Sequence, residues 1–130
     1  MKRVLLALAA AGALLFAGPP AQAAEKVAYD KQVLAAAEAA GKPILIAVHA
    51  PWCPVCRKQG PIIDKLAVTP EFKDLVVLVV DFDSQKDVLK TWNVQKQGTL
   101  IVLHGKQERD RATGIVDEWA IVDLLRKVDG

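Results

Sequence analysis

Hydrophobic positions along the chain alternate between helical spacing and unbroken apolar runs. Asp30 stands ahead of the alanine-rich KQVLAAAEAAG, where high helix propensity and a capping carboxylate predict a helix that stops at Gly41. After Lys42-Pro43 the run ILIAVHA has the length and composition of a buried strand. A second helix is predicted from Cys53 to Val68, kinked at Pro61, which lacks a backbone donor and crowds the preceding turn. DLVVLVVDF follows, too uniformly apolar for either face of that strand to meet water. Ser84-x-x-Asp87 has the spacing of a capping box and predicts a short helix through Leu89 and Trp92. TLIVLH, a turn at Gly105-Lys106, and QERDRATG form an antiparallel hairpin with a polar, solvated outer strand. Asp117 caps a last helix, EWAIVDLLRKV, with Trp119, Val122 and Leu124 or Leu125 turned inward and Arg126 and Lys127 at its negative end.

This order, helix, strand, helix, strand, helix, hairpin, helix, predicts an α/β fold with a mixed central β-sheet and helices on both faces. Trp52, Trp92 and Trp119 are the tryptophans. Trp92 and Trp119 are expected to anchor the core, and Trp52 to pack beside the cysteines with an edge toward substrate.

The first 23 residues have a different character. Lys2 and Arg3 precede an apolar run from Val4 to Ala17, and Ala21-Gln22-Ala23 fits an A-x-A cleavage site. A positive start, a short apolar stretch and small residues before a cut are the marks of a secretory signal peptide. The run is shorter than the ~20 residues that span a bilayer, and Gly18-Pro19-Pro20 ends it. The expectation is a leader over 1–23, export to the periplasm, and one domain over 24–130 with no stable membrane anchor after processing.

Charge changes little once the leader is set aside. Of the 17 Lys and Arg, two (Lys2 and Arg3) lie in the leader, leaving 15 basic against 15 acidic side chains. Such a balance recommends neither nucleic acid nor an anionic membrane as partner. A single monomeric domain of about 107 residues is expected.

The chemistry concentrates in HAPWCPVCRKQGP, residues 49–61, which holds both cysteines. A stabilising bridge is the plain reading for an exported protein, but a four-residue ring contributes only about 2 kcal/mol against ~4.7 for a hundred-residue ring. A zinc-type site is a second alternative, since C-x-x-C alone is shared with metal clips. His49 with Cys53 and Cys56 makes three conceivable ligands for a soft metal, so a metal-binding or metal-delivery module stays open.

Trp52-Cys53-Pro54-Val55-Cys56-Arg57, with Pro61 five residues beyond the second cysteine, resembles the active-site segment of the thioredoxin family, and the order of elements matches it over about residues 30–128. KPILIAVHAPWCPVC is especially similar to exported thioredoxin-like proteins and to the periplasmic thioredoxin-like domain of the membrane thiol electron transporter. The resemblance implies a thioredoxin-like fold and a thiol–disulfide oxidoreductase acting on protein disulfides, a membrane thiol electron transporter being a possible electron donor. No cofactor is called for, because the dithiol is itself the redox group. At a helix N-terminus the first amides lack carbonyl partners and the dipole is positive, so a capping sulfur is stabilised as thiolate. Cys53 is that sulfur and the expected nucleophile. Pro54 suits the first turn and leaves the amides of Val55 and Cys56 to face it. Cys56, on the same helical face, is the expected resolving thiol.

Four positions depart from the family pattern. The buried carboxylate six residues before the first cysteine is replaced by Ala47, and its companion lysine falls at Val79 or nearby, which predicts a slower resolving step. The cis-proline place, in Gln97-Gly98-Thr99, holds Gly98, so the 97–98 bond should be trans. Glycine there either lets the backbone pass close to the sulfurs or widens the groove and leaves Cys53 less shielded. His49, where an aromatic residue is usual, either favours the Cys53 thiolate as a cation or packs at the strand end.

Overall fold

The computed structural model describes Gly18 and residues 24–129. Apart from Gly18, the leader expected over 1–23 lies outside the described residues. Ala24, the first residue of the expected domain, is tied into the fold by its N–H to the Ala67 carbonyl at 3.1 Å.

In chain order the elements are β1 (Glu25–Ala28), α1 (Lys31–Ala39), β2 (Pro43–His49), α2 (Pro54–Ala67), a 3-10 turn (Pro70–Phe72), β3 (Val76–Asp81), α3 (Lys86–Thr91), β4 (Thr99–His104), β5 (Gln107–Thr113) and α4 (Glu118–Arg126). The five strands form one sheet in the order β1-β3-β2-β4-β5. β1 and β2 run parallel to β3, whereas β4 is antiparallel to both β2 and β5. The mixed sheet expected from the sequence is therefore present.

Strand alternation divides the core into two layers. Ile44, Ile46, Val48, Leu78, Val80, Ile101 and Leu103 face α1 and α3, packing with Leu34, Ala37, Val88 and Leu89. Leu45, Ala47, Val77, Leu100 and Val102 face α2 and α4, packing with Ile63, Leu66, Ile121 and Leu125. Helices thus cover both faces, and the central strands read as continuous apolar runs because neither side meets water.

Local signals set most boundaries. The Asp30 carboxylate accepts from the amides of Gln32 and Val33, and Asp117 accepts from that of Ala120, as their capping places require. Pro61 lies inside a helix that runs from Pro54 to Ala67.

Three expectations need correction. β1 was not foreseen: its four residues are mostly exposed and carry no alternation, and it exists because its backbone pairs with the edge of β3. The Ser84 capping box does not form, since α3 starts at Lys86 with Gln85 at the cap position and no side-chain cap bond. Ser84 instead hydrogen-bonds the Asp81 carboxylate, and the Gln85 Oε1 accepts from the Asp81 amide at 2.9 Å. Trp119 is no core anchor: it is 73% exposed near the start of α4, whose Ile121, Val122, Leu124 and Leu125 take the inner face. Trp92 does pack against the α1 and α3 layer, its Nε1–H reaching the Tyr29 hydroxyl at 3.2 Å.

Candidate active site

β2 delivers the chain to the sheet's end at His49, and four residues later Cys53 becomes the N-cap of α2 with extended φ and ψ. Its sulfur accepts the Cys56 amide at 3.1 Å. Of the two amides expected to face it, that of Cys56 makes the bond. Pro54 occupies the first turn, where no intrahelical donor is missed. The two cysteines are free thiols, buried with Ala50 in a small cluster against Val55 and Phe82.

Cys56 sits one turn along, its Sγ–H directed at the Val48 carbonyl at 3.7 Å. Burial, then the hydrogen bond with Cys53, pushes this thiol up to about 11, although the amides of Ala50 and Gly98 pull the other way. At neutral pH Cys56 is therefore held as the thiol.

The loop carrying Gln97, Gly98 and Thr99 crosses directly over α2. Gly98 donates its N–H to the Val48 carbonyl at 2.8 Å, and its own carbonyl accepts from Gly114 at 3.0 Å. The described residues contain no cis peptide bond, so the Gln97–Gly98 bond is trans as expected, and Gly98 has φ +74°. A β-carbon at this position would stand 2.8 Å from Val55 Cγ1. Glycine is thus required both by the backbone conformation and by the close approach. Of the two readings of this glycine, close passage of the backbone holds and the less shielded Cys53 does not: Cys53 is 1% exposed, and Val55 occupies the space beside Gly98. Thr99 is buried, its hydroxyl donating to the Lys96 carbonyl at 2.7 Å and lying 2.9 Å from the Thr113 hydroxyl. Gln97 is half-buried beside it.

Trp52 is 53% exposed next to Cys53. Its indole N–H bridges both carboxylate oxygens of Asp83, at 3.1 and 3.0 Å, and its ring meets Phe82 edge-on with centroids 6.1 Å apart. Lys86 caps the same Phe82 ring at 4.3 Å.

Ala47 pairs in register with Val79, so neither of those two places carries a charge behind the cysteines. A cavity of about 130 Å³ opens there, lined by Cys56, His49, Gln59 and Lys26 among others. His49 is half-buried at the end of β2 and lines this cavity with Cys56. The metal reading lacks its ligand set: among the described residues no three His, Cys, Asp or Glu side chains gather to hold an ion.

Two residues of the site were not anticipated. Gln59, 3% exposed, gives its amide hydrogens to the carbonyls of Gly98 (3.1 Å) and Ile115 (2.9 Å), clamping the crossing loop to α2. Its signal was a polar residue one turn beyond Cys56 on the inner face. Asp83 belongs to a loop 31 residues from Trp52, and nothing local marks it.

A dithiol at a helix tip, one sulfur capped by the other cysteine's amide and overlain by a loop from a mixed five-stranded sheet, defines the class of thiol–disulfide oxidoreductases. The family model described as Thioredoxin matches residues 21–127, and the chain belongs to the thioredoxin family. It is 31% identical over 85 residues to Thioredoxin 1 of Nostoc sp., covering 65% of this chain and 78% of that one. It is 34% identical over 93 residues to a Thioredoxin H-type of Brassica campestris, covering 72% and 74%. The crystal structure of Trxlp from Edwardsiella tarda superposes with a TM-score of 0.74 at 38% identity, covering 75% of this chain and 95% of that one. The protein is a thioredoxin-like oxidoreductase with a C-x-x-C dithiol at Cys53 and Cys56.

Proposed function

We propose that the protein is exported by a leader over residues 1–23 and exchanges disulfides with periplasmic proteins, as a reductase or electron relay supplied by a membrane thiol electron transporter. The observation that carries the redox assignment is the sulfur of Cys53 at the tip of α2, accepting the Cys56 amide at 3.1 Å. A capping thiolate gains from the unpaired amides and the positive helix end, so Cys53 is the nucleophile toward a partner disulfide. Cys56, held as a thiol on the next turn, resolves the mixed disulfide. Trp52, exposed next to Cys53 and held by Asp83, and the segment at Gln97 and Gly98 that crosses over Val55 form the contact surface for the partner. The 1–23 composition and the likeness of KPILIAVHAPWCPVC to exported thioredoxin-like proteins support export.

The test is a trap. A Cys56→Ser chain expressed with its leader should accumulate in the periplasmic fraction, disulfide-linked through Cys53 to partner proteins that reducing agent releases. Recovery of uncleaved chain in the cytoplasm would overturn the export reading. A native protein that reduces no protein disulfide, with Cys53 unreactive toward disulfides, would overturn the exchange reading.

A further inference from the structure

The cavity behind the cysteines belongs to Cys56. Its lining includes Ala47 and His49 from β2, Val79 from β3, Cys56 and Gln59 from α2, and Lys26 from β1. Alternation puts Ala47 and His49 on one face of β2, and the parallel register sets Val79 beside Ala47 and Asp81 beside His49. The wall of the cavity therefore has a methyl group at Ala47 and, one same-face position further along, an imidazole. At about 130 Å³, with Gln59, His49 and Lys26 as polar lining, it has room for several water molecules.

We propose that His49 accepts the proton of Cys56, through water in this cavity, as Cys56 attacks the mixed disulfide on Cys53. The inference rests on the exchange reading above and assigns the resolving step a proton acceptor. The Cys56 S–H bond breaks, its proton passes by way of water to an imidazole nitrogen, and the sulfur attacks Cys53 Sγ. The bond between Cys53 and the partner's sulfur breaks, and its electron pair leaves on the partner as thiolate, which takes up a proton from solvent or from the imidazolium. Over the two steps the protein dithiol is oxidised to the Cys53–Cys56 disulfide and the partner disulfide is reduced to two thiols.

The surroundings suit the task. Cys56 is a buried thiol raised to about 11, so attack at neutral pH requires an acceptor at hand. An imidazole is the side chain that exchanges protons in this range. Asp81, beside His49, is held below the usual carboxylate range by Ser84 first, then by the Asp83 amide, with a smaller part from the positive charge of His49. Its negative charge stands on the neighbouring strand, in register with His49, where it favours the imidazolium that forms. Lys26, the other cation at the cavity, is bound by Asp64 of α2 at 2.6 Å, which offsets its charge.

The two steps separate in one stopped-flow experiment with an aromatic disulfide whose released thiolate is coloured. Attack by Cys53 releases the first thiolate, and attack by Cys56 releases the second. In His49→Gln the second phase should slow about a hundredfold or more at neutral pH, while the first stays within about twofold. Adding Ala47→Asp to that variant should restore part of the lost rate, because a carboxylate then enters the cavity. In the native protein the pH inflection of the second phase should coincide with the His49 titration followed by NMR, a readout that needs no variant. A second phase unchanged in His49→Gln, a native inflection unrelated to the imidazole, or equal slowing of both phases would overturn the assignment. Equal slowing would place His49 in the service of Cys53. Absence of any first phase would overturn the exchange reading itself, and the inference with it.

Discussion

Val55 Cγ1 stands 2.8 Å from the point a β-carbon on Gly98 would occupy, so the dipeptide between the cysteines and the loop that crosses it are shaped to each other. The contact joins residues 43 positions apart and leaves the crossing backbone room for hydrogen only. Gly98→Ala should cost about 2 kcal/mol or more, from the left-handed φ and from overpacking. Val55→Ala should relieve the steric part but not the conformational part. A four-variant urea denaturation cycle should give a coupling of at least about 0.5 kcal/mol, the double variant being less damaged than the sum. Strict additivity would mean the two positions are independent.

Gln59 ties the same loop down by a different means. Its amide hydrogens satisfy the carbonyls of Gly98 and Ile115 from a position 3% exposed. Gln59→Leu keeps the bulk and removes both donors, leaving Ile115 without this partner while Gly98 keeps the Gly114 amide. The expected loss is about 1–3 kcal/mol, with faster amide exchange at Gly98 and Gly114. Native protection at those amides in the variant would show that the clamp is dispensable.

Cys56 gives the reduced protein a pH-dependent stability. Its thiol is raised in the fold, so the fold keeps the proton where the unfolded chain has lost it. That contribution is complete below the ordinary thiol value of 9.0 and disappears as pH rises through about 11. Denaturation under reducing conditions should show the native protein losing on the order of 2 kcal/mol more than Cys56→Ser across this interval. Parallel curves would show that the raised acidity has no thermodynamic weight.

Two neighbours on α4 should behave oppositely. Trp119 is 73% exposed and Ile121 is fully buried. Trp119→Ala should change stability by no more than about 0.5 kcal/mol, whereas Ile121→Ala should cost about 2–5 kcal/mol. Thermal melts of both variants settle which face of the helix carries the core.

Much of this architecture is legible residue by residue because its causes are local. Asp30 and Asp117 bond amides within three residues, the α2 cap lies at Cys53 where the strand-to-helix passage placed it, and apolar runs without polar interruption become the central strands. The dithiol is readable for the same reason, since a helix tip needs only its own first turn to act on a sulfur. The Ser84 capping signal was equally local and still failed, because Asp81 offered that hydroxyl a competing partner.

The remainder depends on residues that meet only after the sheet is assembled. Glu25–Ala28 is a strand through the bonds of β3, and Trp52 and Gln59 are held by groups 31, 39 and 56 positions away. His49 illustrates the difference best. Its place in the chain, four residues before Cys53, points to that sulfur, whereas strand alternation and the packing of α2 bring it to the cavity of Cys56. Short-range hydrogen bonding and periodicity are written in consecutive residues, but the direction in which a side chain finds its neighbour is set by how separate elements pack, and no single segment contains that information.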